Sequence, residues 1–488
     1  MATFIEIIKK VNDTINSVVW GVPALILIIS TGVIFTFRSK FFQVRRFGWV
    51  LKSTIIASLK KDDNQKSKDK RSISQFQAMA TALAATIGTG NIVGVATAIT
   101  IGGAGSVFWM WISAFFGMMT GFAENVLGIY FRSKNEKGEW IGGPMLYIEK
   151  GLKCKPLAVI FALFCTFASF GIGNMTQANS MSSSLKATFN VPPIVSGIVV
   201  AIIVAFAALG GIKRLGKITE KLIPFMATIY IIATLAIIIV NINTIPNVLK
   251  DILKDAFGLT SAVGGISGYM IKSAMTQGLK RGVFSNEAGL GSSVMVHCAA
   301  DSKEPVQQGL WSMFEIFVDT IIICSLTAFS ILSTGVVDAN PGVSGAPLVI
   351  LAFSDVFGSF AGAILSISIL FFAFSTILGW SYYGEKSVEY LLGTKAVPVY
   401  KIIFVALIVV GATAQLELVW SISDTFNGLM AIPNLIAVLL LSGTVIKILK
   451  NYSARKFKKS KGEPVVPMLS FHPEIQKEYE NEVMLEQI

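Results

Sequence analysis

The chain has 488 residues, of which 53% are hydrophobic and only 14% charged, and its net charge is +12. Soluble domains carry about 25% charged residues, so the composition excludes a soluble enzyme, and the basic excess reads as a membrane-topology signal rather than a nucleic-acid surface. Two histidines, His297 and His472, give no histidine metal cage or catalytic dyad, and four cysteines without paired spacing are expected to stay reduced.

In chain order, residues 1–14 read as a short amphipathic surface helix with no removable signal, followed by a first span at Ser17–Phe37. Arg38–Arg71 is polar and rich in Lys and Arg, which places it in the cytoplasm and the N-terminus outside. Further spans are predicted at Gln75–Ile101, Ala104–Phe131, Pro156–Gln177, Pro193–Gly211, Ile218–Val240, Ile266–Ala300, Gly309–Ser333, Ala361–Leu391, Val399–Trp420 and Thr425–Leu449. Lys213, Arg214 and Lys217 form a basic inner loop, and Thr334–Phe360 holds Asp338 and Asp355 but no Lys or Arg, as an outer loop should. The basic residues from Lys450 to Lys461 put the C-terminus inside, and the tail after Gly462 is expected to be disordered.

The stretch TALAATIGTGNIVGVATAITI (Thr81–Ile101) is apolar enough for a bilayer, yet Gly88-Thr89-Gly90-Asn91 is poorly suited to a continuous helix. Broken there, the helix bares backbone groups that survive at membrane depth only where they line a cavity or bind something. The packing alternative is the small-residue ridge Ala80, Ala84, Gly88. The Ile266–Ala300 span is interrupted in turn by TQGLKRGVFSNEAGLGS. Counted from the first break, two sets of five spans each begin with an interrupted helix and start on opposite faces. The fold class is therefore an all-α polytopic membrane protein of about eleven transmembrane helices, a 5+5 inverted repeat plus one extra N-terminal helix. The chain divides into residues 1–74 (extra helix and basic loop), 75–241 (first repeat), 242–449 (second repeat) and 450–488 (cytoplasmic tail).

Four motifs carry a family resemblance: ATALAATIGTGNIVGVATAITIGGAG (Ala80–Gly105), WMWISAFFGM (Trp109–Met118), GGPMLYIEKGL (Gly142–Leu152) and FSNEAGLGSS (Phe284–Ser293). Together they resemble the alanine or glycine:cation symporters, a family similar in fold to the sodium-coupled leucine transporter. The resemblance implies a sodium-coupled symporter for a small neutral amino acid, alanine or glycine, working by alternating access, with no organic cofactor. Glutamine or another neutral amino acid, and proton coupling, stand as alternatives. An ion channel calls for a repeated polar stripe or charged ring, and none is present. The expected partners are the amino acid, sodium and the lipid bilayer of the cell membrane, with a monomeric functional unit.

The residues suit this chemistry. A zwitterion needs N–H donors for its carboxylate and oxygens for its ammonium, and an unwound helix offers both. Thr89, Gly90 and Asn91 are placed to do so, with Thr86 one turn earlier. The resemblance puts Gln77 and Gln177 on the pocket face. Met275, Thr276 and Gln277 precede the second interruption and are expected to face the first. Sodium prefers oxygen ligands, as harder divalent cations do. The adjacent hydroxyls Ser375 and Thr376 resemble the pair of the fold's common sodium site, although membrane Ser and Thr also bond their own helix. Carried over residue by residue, that site takes the carbonyls of Ala84, Ile87 and Phe372 and both hydroxyls. Ile377 adjoins them, and Trp380, one turn on, is positioned to close the pocket. Among the intramembrane charges, Glu287 is expected to pair with Lys280 and Arg281 in a cytoplasmic-side network, while Glu124, Glu315, Asp319 and Lys272 fall within or near spans.

Overall fold

In hydrocarbon each backbone polar group needs a partner within the protein, and a helix supplies one segment by segment. The computed structural model describes residues 2–59, 71–258, 264–414, 416–457 and 465–485. Among them the only strands are a short antiparallel pair, Ser133–Lys134 with Trp140–Ile141. Everything else of regular structure is helical.

Eight helices among the described residues are long and apolar enough to cross a membrane, nine when the bent pair Gln75–Thr86 and Gly90–Gly102 counts as one. The two remaining predicted spans miss for different reasons. Pro193–Leu209 has only 17 residues, and Gly264–Asn286 is long enough but carries Lys272, Lys280 and Arg281. Boundaries also differ from the sequence expectation. The helix from Lys155 passes through a π-turn at Gly171–Met175 and runs on to Phe189, because its polar residues face neighbouring helices rather than lipid. Asn179, for example, donates to the carbonyls of Gly411 and Ala414. Lys213, Arg214 and Lys217 lie within the helix Gly211–Val240. The last predicted span is two helices, Leu416–Leu440 and Ser442–Phe457.

Three segments expected to be loop or disorder are built. Phe42–Leu59 is largely helical, with Phe42 and Val50 buried; residues 60–70 of that basic segment lie outside the described residues. Thr334–Phe360 contains the helix Ala346–Phe357, whose Leu348, Val349 and Phe353 enter the core. The tail beyond Gly462 contains Pro473–Leu485, and Leu469, Tyr479 and Val483 cluster with Trp140.

The two interrupted elements organise the rest. Ile73 donates to Ala299 O at 3.1 Å, and Asp301 donates back to Ile73 O at 2.8 Å. At the far ends, Ser273 Oγ donates to Ile101 O at 3.0 Å. The start of the first broken helix thus lies beside the end of the second, and the reverse holds across the fold. The pair runs antiparallel, as an inverted repeat requires.

The extra N-terminal helix Val22–Arg38 seats on Gly105–Phe131 through Gly32, where a Cβ would fall 2.5 Å from the Phe116 carbonyl oxygen. Backbone on backbone leaves nothing flexible to give. Gly32→Ala should destabilise the protein by about 1–3 kcal/mol through overpacking, read as a lower Tm of the detergent-purified protein. An unchanged Tm would mean that this contact does not seat the helix.

Candidate functional site

The first break is set by local chemistry. Ser74 and Gln77 form a capping box that starts the helix at Gln75. The helix ends when Ile87 turns extended, at φ −72° and ψ 93°. Gly88 then gives its N–H to Asn91 Oδ1 at 2.9 Å instead of continuing the helical ladder. A π-helical turn, Gly90–Gly94, leads into Val95–Gly102. Every residue from Ala84 to Ile92 is buried.

Neighbours converge on this break from three directions. From the Lys155–Phe189 element, Gln177 Oε1 accepts from Thr89 Oγ1 at 3.1 Å and more weakly from Thr89 N–H at 3.4 Å. From Ala361–Leu392, Ser375 and Thr376 donate to Phe372 O at 2.8 and 3.0 Å, and each hydroxyl oxygen lies within 3.5 Å of Ile87 O. Distances of that length to Ile87 make weak hydrogen bonds, so the Ile87 carbonyl keeps its lone pairs largely uncommitted. Four of the five predicted cation ligands thus share one spot. Ala84 is fully buried in the same turn, and the redirected Gly88 N–H is the donor its carbonyl loses. A Cβ on Gly88 would lie 2.5 Å from Thr376 Oγ1, so glycine is required for the two elements to approach this closely.

From the third direction comes a carboxylate. Asp319 Oδ1 accepts from Asn91 Nδ2 at 2.7 Å, while Oδ2 accepts from Ser285 Oγ and Thr320 Oγ1, each at 2.8 Å. Asp319 is fully buried and joins the first break to the second interrupted helix. Sequence reasoning saw it only as an intramembrane charge. The motif FSNEAGLGSS held the further clue, because Ser285 is its hydroxyl nearest the break. Phe284 also belongs here: a Cβ on Gly90 would meet its ring at 3.0 Å.

Other expectations are redirected. Gln77 does not reach the break: it caps its own helix and donates to Glu220 Oε2 at 2.8 Å. Thr86 is buried at the last helical position, with its hydroxyl 3.4 Å from Leu83 O. Met275, Thr276 and Gln277 precede Phe284 by two turns, and Gln277 Cβ lies against Gly102, at the far end of the bent span. The second interruption occupies only the end of the predicted stretch, after Asn286, where Glu287 (φ 57°), Gly289 (φ 93°) and Gly291 (φ 74°) adopt left-handed backbone. Glu287 does not pair with Lys280 or Arg281. It accepts from Trp380 Nε1 at 2.8 Å and from Ser292 Oγ. Trp380 therefore locks the second break to the hydroxyl-bearing helix, with Ile377 buried one turn before it.

Lys280 instead meets Asp424 at 2.8 Å, with Arg281 at 4.0 Å. These three side chains line a cavity of about 640 Å³ that reaches Val93, Gly94 and Thr97 on the second half of the bent span. Trp420, on the cavity wall, stacks on Phe284 with ring centroids 5.7 Å apart. One aromatic layer thus separates the cavity from Gly90. At the opposite end, Ile73 and Ala300 are both buried at their junction.

Comparison with known proteins agrees with this architecture. Residues 5–466 match the sodium:alanine symporter family. The sodium/alanine symporter AgcS of Methanococcus maripaludis is 47% identical over 455 residues, covering 92% of this chain and 98% of the relative. A probable sodium/glutamine symporter, GlnT of Bacillus subtilis, is 39% identical and covers 92% of each chain. The solved outward-open structure of a Na⁺-coupled sialic acid symporter shares the fold, with a TM-score of 0.51 at 13% identity, over 96% of this chain and 97% of that one.

Replacing Ser375 and Thr376 together by alanine removes two oxygens with little change of shape. Half-saturating sodium should rise at least about tenfold, taking roughly 1 kcal/mol per lost contact; unchanged sodium dependence would take both residues out of the site. Asp319→Asn leaves one of the three buried donors without an acceptor, which costs about 1–3 kcal/mol. It should weaken amino-acid binding and lower the Tm together, and wild-type binding in this variant would show that the carboxylate does not hold the break.

Proposed function

Because the chain belongs to the sodium:alanine symporter family, a family of secondary transporters, we propose that it carries a small neutral amino acid, alanine or glycine, into the cell with sodium. The reading rests above all on the convergence of Ile87 O, Phe372 O, Ser375 Oγ and Thr376 Oγ1 beside the broken helix. Those oxygens suit sodium, a hard cation. The N–H groups of Thr89 and Gly90, at the head of the second half-helix, suit a carboxylate. Gln177 Oε1 and the Thr376 hydroxyl suit an ammonium. Asn91, held by Asp319, orients the carboxylate end of this site, and Asp319 adds negative charge where a second cation is most stabilised.

Substrate size follows from the walls. Gly88 lies against Thr376, Gly90 against Phe284, and Gly173 against Trp380. These contacts leave room for a methyl group or a hydrogen more readily than for a long amide side chain. That favours alanine or glycine over glutamine, which remains the second reading because of the 39% identical relative.

The basic segments Arg38–Arg71 and Lys450–Lys461 set the orientation, with the C-terminus cytoplasmic and the N-terminus outside. The cavity at Lys280, Arg281 and Asp424 then opens outward, and the Ile73–Ala300 junction is the inner closure. Residues 75–241 and 242–449 are the two repeats, and one chain supplies every residue of the site. Alternating access moves the closure from the inner junction to the Phe284–Trp420 layer. One sodium crossing 100 mV supplies about 2.3 kcal/mol. A tenfold sodium gradient adds about 1.4 kcal/mol. At one-to-one coupling, accumulation of several hundredfold is within reach.

The test is uptake of a labelled amino-acid panel into proteoliposomes under sodium, potassium or proton gradients. Alanine or glycine should accumulate only with an inward sodium gradient. Preference for glutamine, or uptake driven by a proton gradient alone, would replace this reading with the corresponding alternative.

A further inference from the structure

We propose that the C-terminal segment 465–485 is an intrachain latch that holds the inner closure shut, so that its release speeds transport. This rests on the sidedness proposed above and goes beyond it. Most of the segment lies beyond residue 466, where the family match ends.

The segment is anchored at each step. Asn451, on the last basic helix, donates to Val466 O at 2.7 Å and accepts from Met468 N–H at 3.1 Å. Gln476 gathers the turn, accepting from the N–H groups of Leu469 and Ser470 at 2.8 and 3.0 Å. Phe471 N–H donates to Tyr130 O at 2.8 Å, and its ring lies 4.9 Å from that of Phe131. Leu469, Tyr479 and Val483 then close over Trp140.

What they close over is the junction itself. Arg132 is 2% exposed. Its guanidinium donates to the carbonyls of Cys298, Ala300 and Ser302 at 2.9, 2.7 and 2.5 Å. The same group stands 4.0 Å from the centre of the Trp140 ring and 3.4 Å from Tyr479 Oη. Ala300 is the residue that bridges Ile73. The tail thus covers a buried cation, Arg132, that ties down the exit of the second interrupted helix, beside the entry of the first. Parting Ile73 from Ala300 requires Arg132 to move, and Arg132 is roofed by Trp140 and Tyr479. Release of the roof lowers the cost of that motion without touching the substrate site.

A titratable contact rides on the latch. Lys150 Nζ lies 3.2 Å from His472 Nε2; an ammonium can only donate, so the contact favours the neutral ring. Burial first, and then Lys150, hold the His472 pKa below its ordinary value, against smaller opposing effects of a hydrogen bond with the Phe131 backbone and of Glu474. With the docked pKa lowered, docking is favoured above the ordinary histidine value of about 6.5. It weakens as the pH on this face falls below that value.

Cys298 is a built-in reporter, because it is fully buried at the junction. The experiment uses the full chain in a Cys154→Ser, Cys165→Ala, Cys324→Ala background. It is compared with a chain ended after Gly462 and with Leu469→Ala/Tyr479→Ala, which keeps the tail. Maleimide labelling of Cys298 from the cytoplasmic face and the initial rate of sodium-driven alanine uptake are both measured. Truncation and double substitution should each raise labelling and maximal uptake rate at least about fivefold, the low end of ordinary coupling between sites. Because maleimide reacts with the thiolate and slows as the pH falls, labelling is expressed relative to the truncated chain at the same pH, and that ratio should rise towards one for the intact chain between pH 8 and 5.5 while staying constant for the double substitution. Equal labelling in all three proteins overturns the latch, as does truncation that lowers uptake or monodispersity without raising labelling. The labelling arm reads the junction directly. Failure of the intact chain to take up alanine with sodium would therefore count against the transport assignment and leave the latch to be judged by Cys298.

Discussion

Everything at the centre of this protein depends on one exchange. The helix beginning at Gln75 gives up its backbone ladder at Gly88, and the Asn91 side chain takes the freed N–H. An amide that does this in a low-dielectric interior needs its own donors satisfied, or the gain is lost. Asp319 satisfies them, and the second oxygen of Asp319 satisfies Ser285. A single buried carboxylate thereby makes the shape of one broken helix conditional on the position of the other. Coupling between the repeats is chemical at this point, and it runs through groups that also suit an ion and a zwitterion.

The ninth predicted span meets the same break from the other side. Its hydroxyls bond Phe372 within their own helix, as membrane Ser and Thr commonly do. That does not compete with a binding role. A hydroxyl whose proton is committed to its own helix still presents lone pairs, here toward Ile87 O, and an oxygen so fixed is a better cation ligand than a free rotor. Further along, Trp380 reaches Glu287, so this helix touches both interruptions.

How much of this could be read from sequence varied with the kind of signal. Gly88–Asn91 was legible because two glycines and an amide in an apolar run contradict a continuous helix. Ser375 and Thr376 were legible as adjacent hydroxyls in a hydrophobic span. Gln77 was misplaced although its signature was present: Ser74 three residues earlier is a capping box, which explains a glutamine at a helix start without any ligand. Met275–Gln277 were misplaced because Gly278 and Gly282, which pack on Ser106 and Ser113, look in sequence like the breaking glycines Gly289 and Gly291. Glycine alone does not separate close packing from left-handed backbone. The tail was hidden because Leu469, Phe471, Tyr479 and Val483 are spaced too widely among charges to show a periodic face. Their partner, Trp140, lies more than three hundred residues away.

An inverted repeat makes the two faces of a transporter near mirror images, so the bare ten-helix core has little reason to rest on one side. The parts outside the repeat are not symmetric. At one end of the chain, Asn12 and Asn16 bond Ser421 and Thr425, and Trp20 donates to Asp424 O, fastening the N-terminal helix to the element whose Asp424 pairs with Lys280. At the other end, the C-terminal segment sits over Arg132. Each terminus therefore packs on a different end of the fold. The asymmetry of the molecule lies in these appendages, around a core built as an inverted repeat.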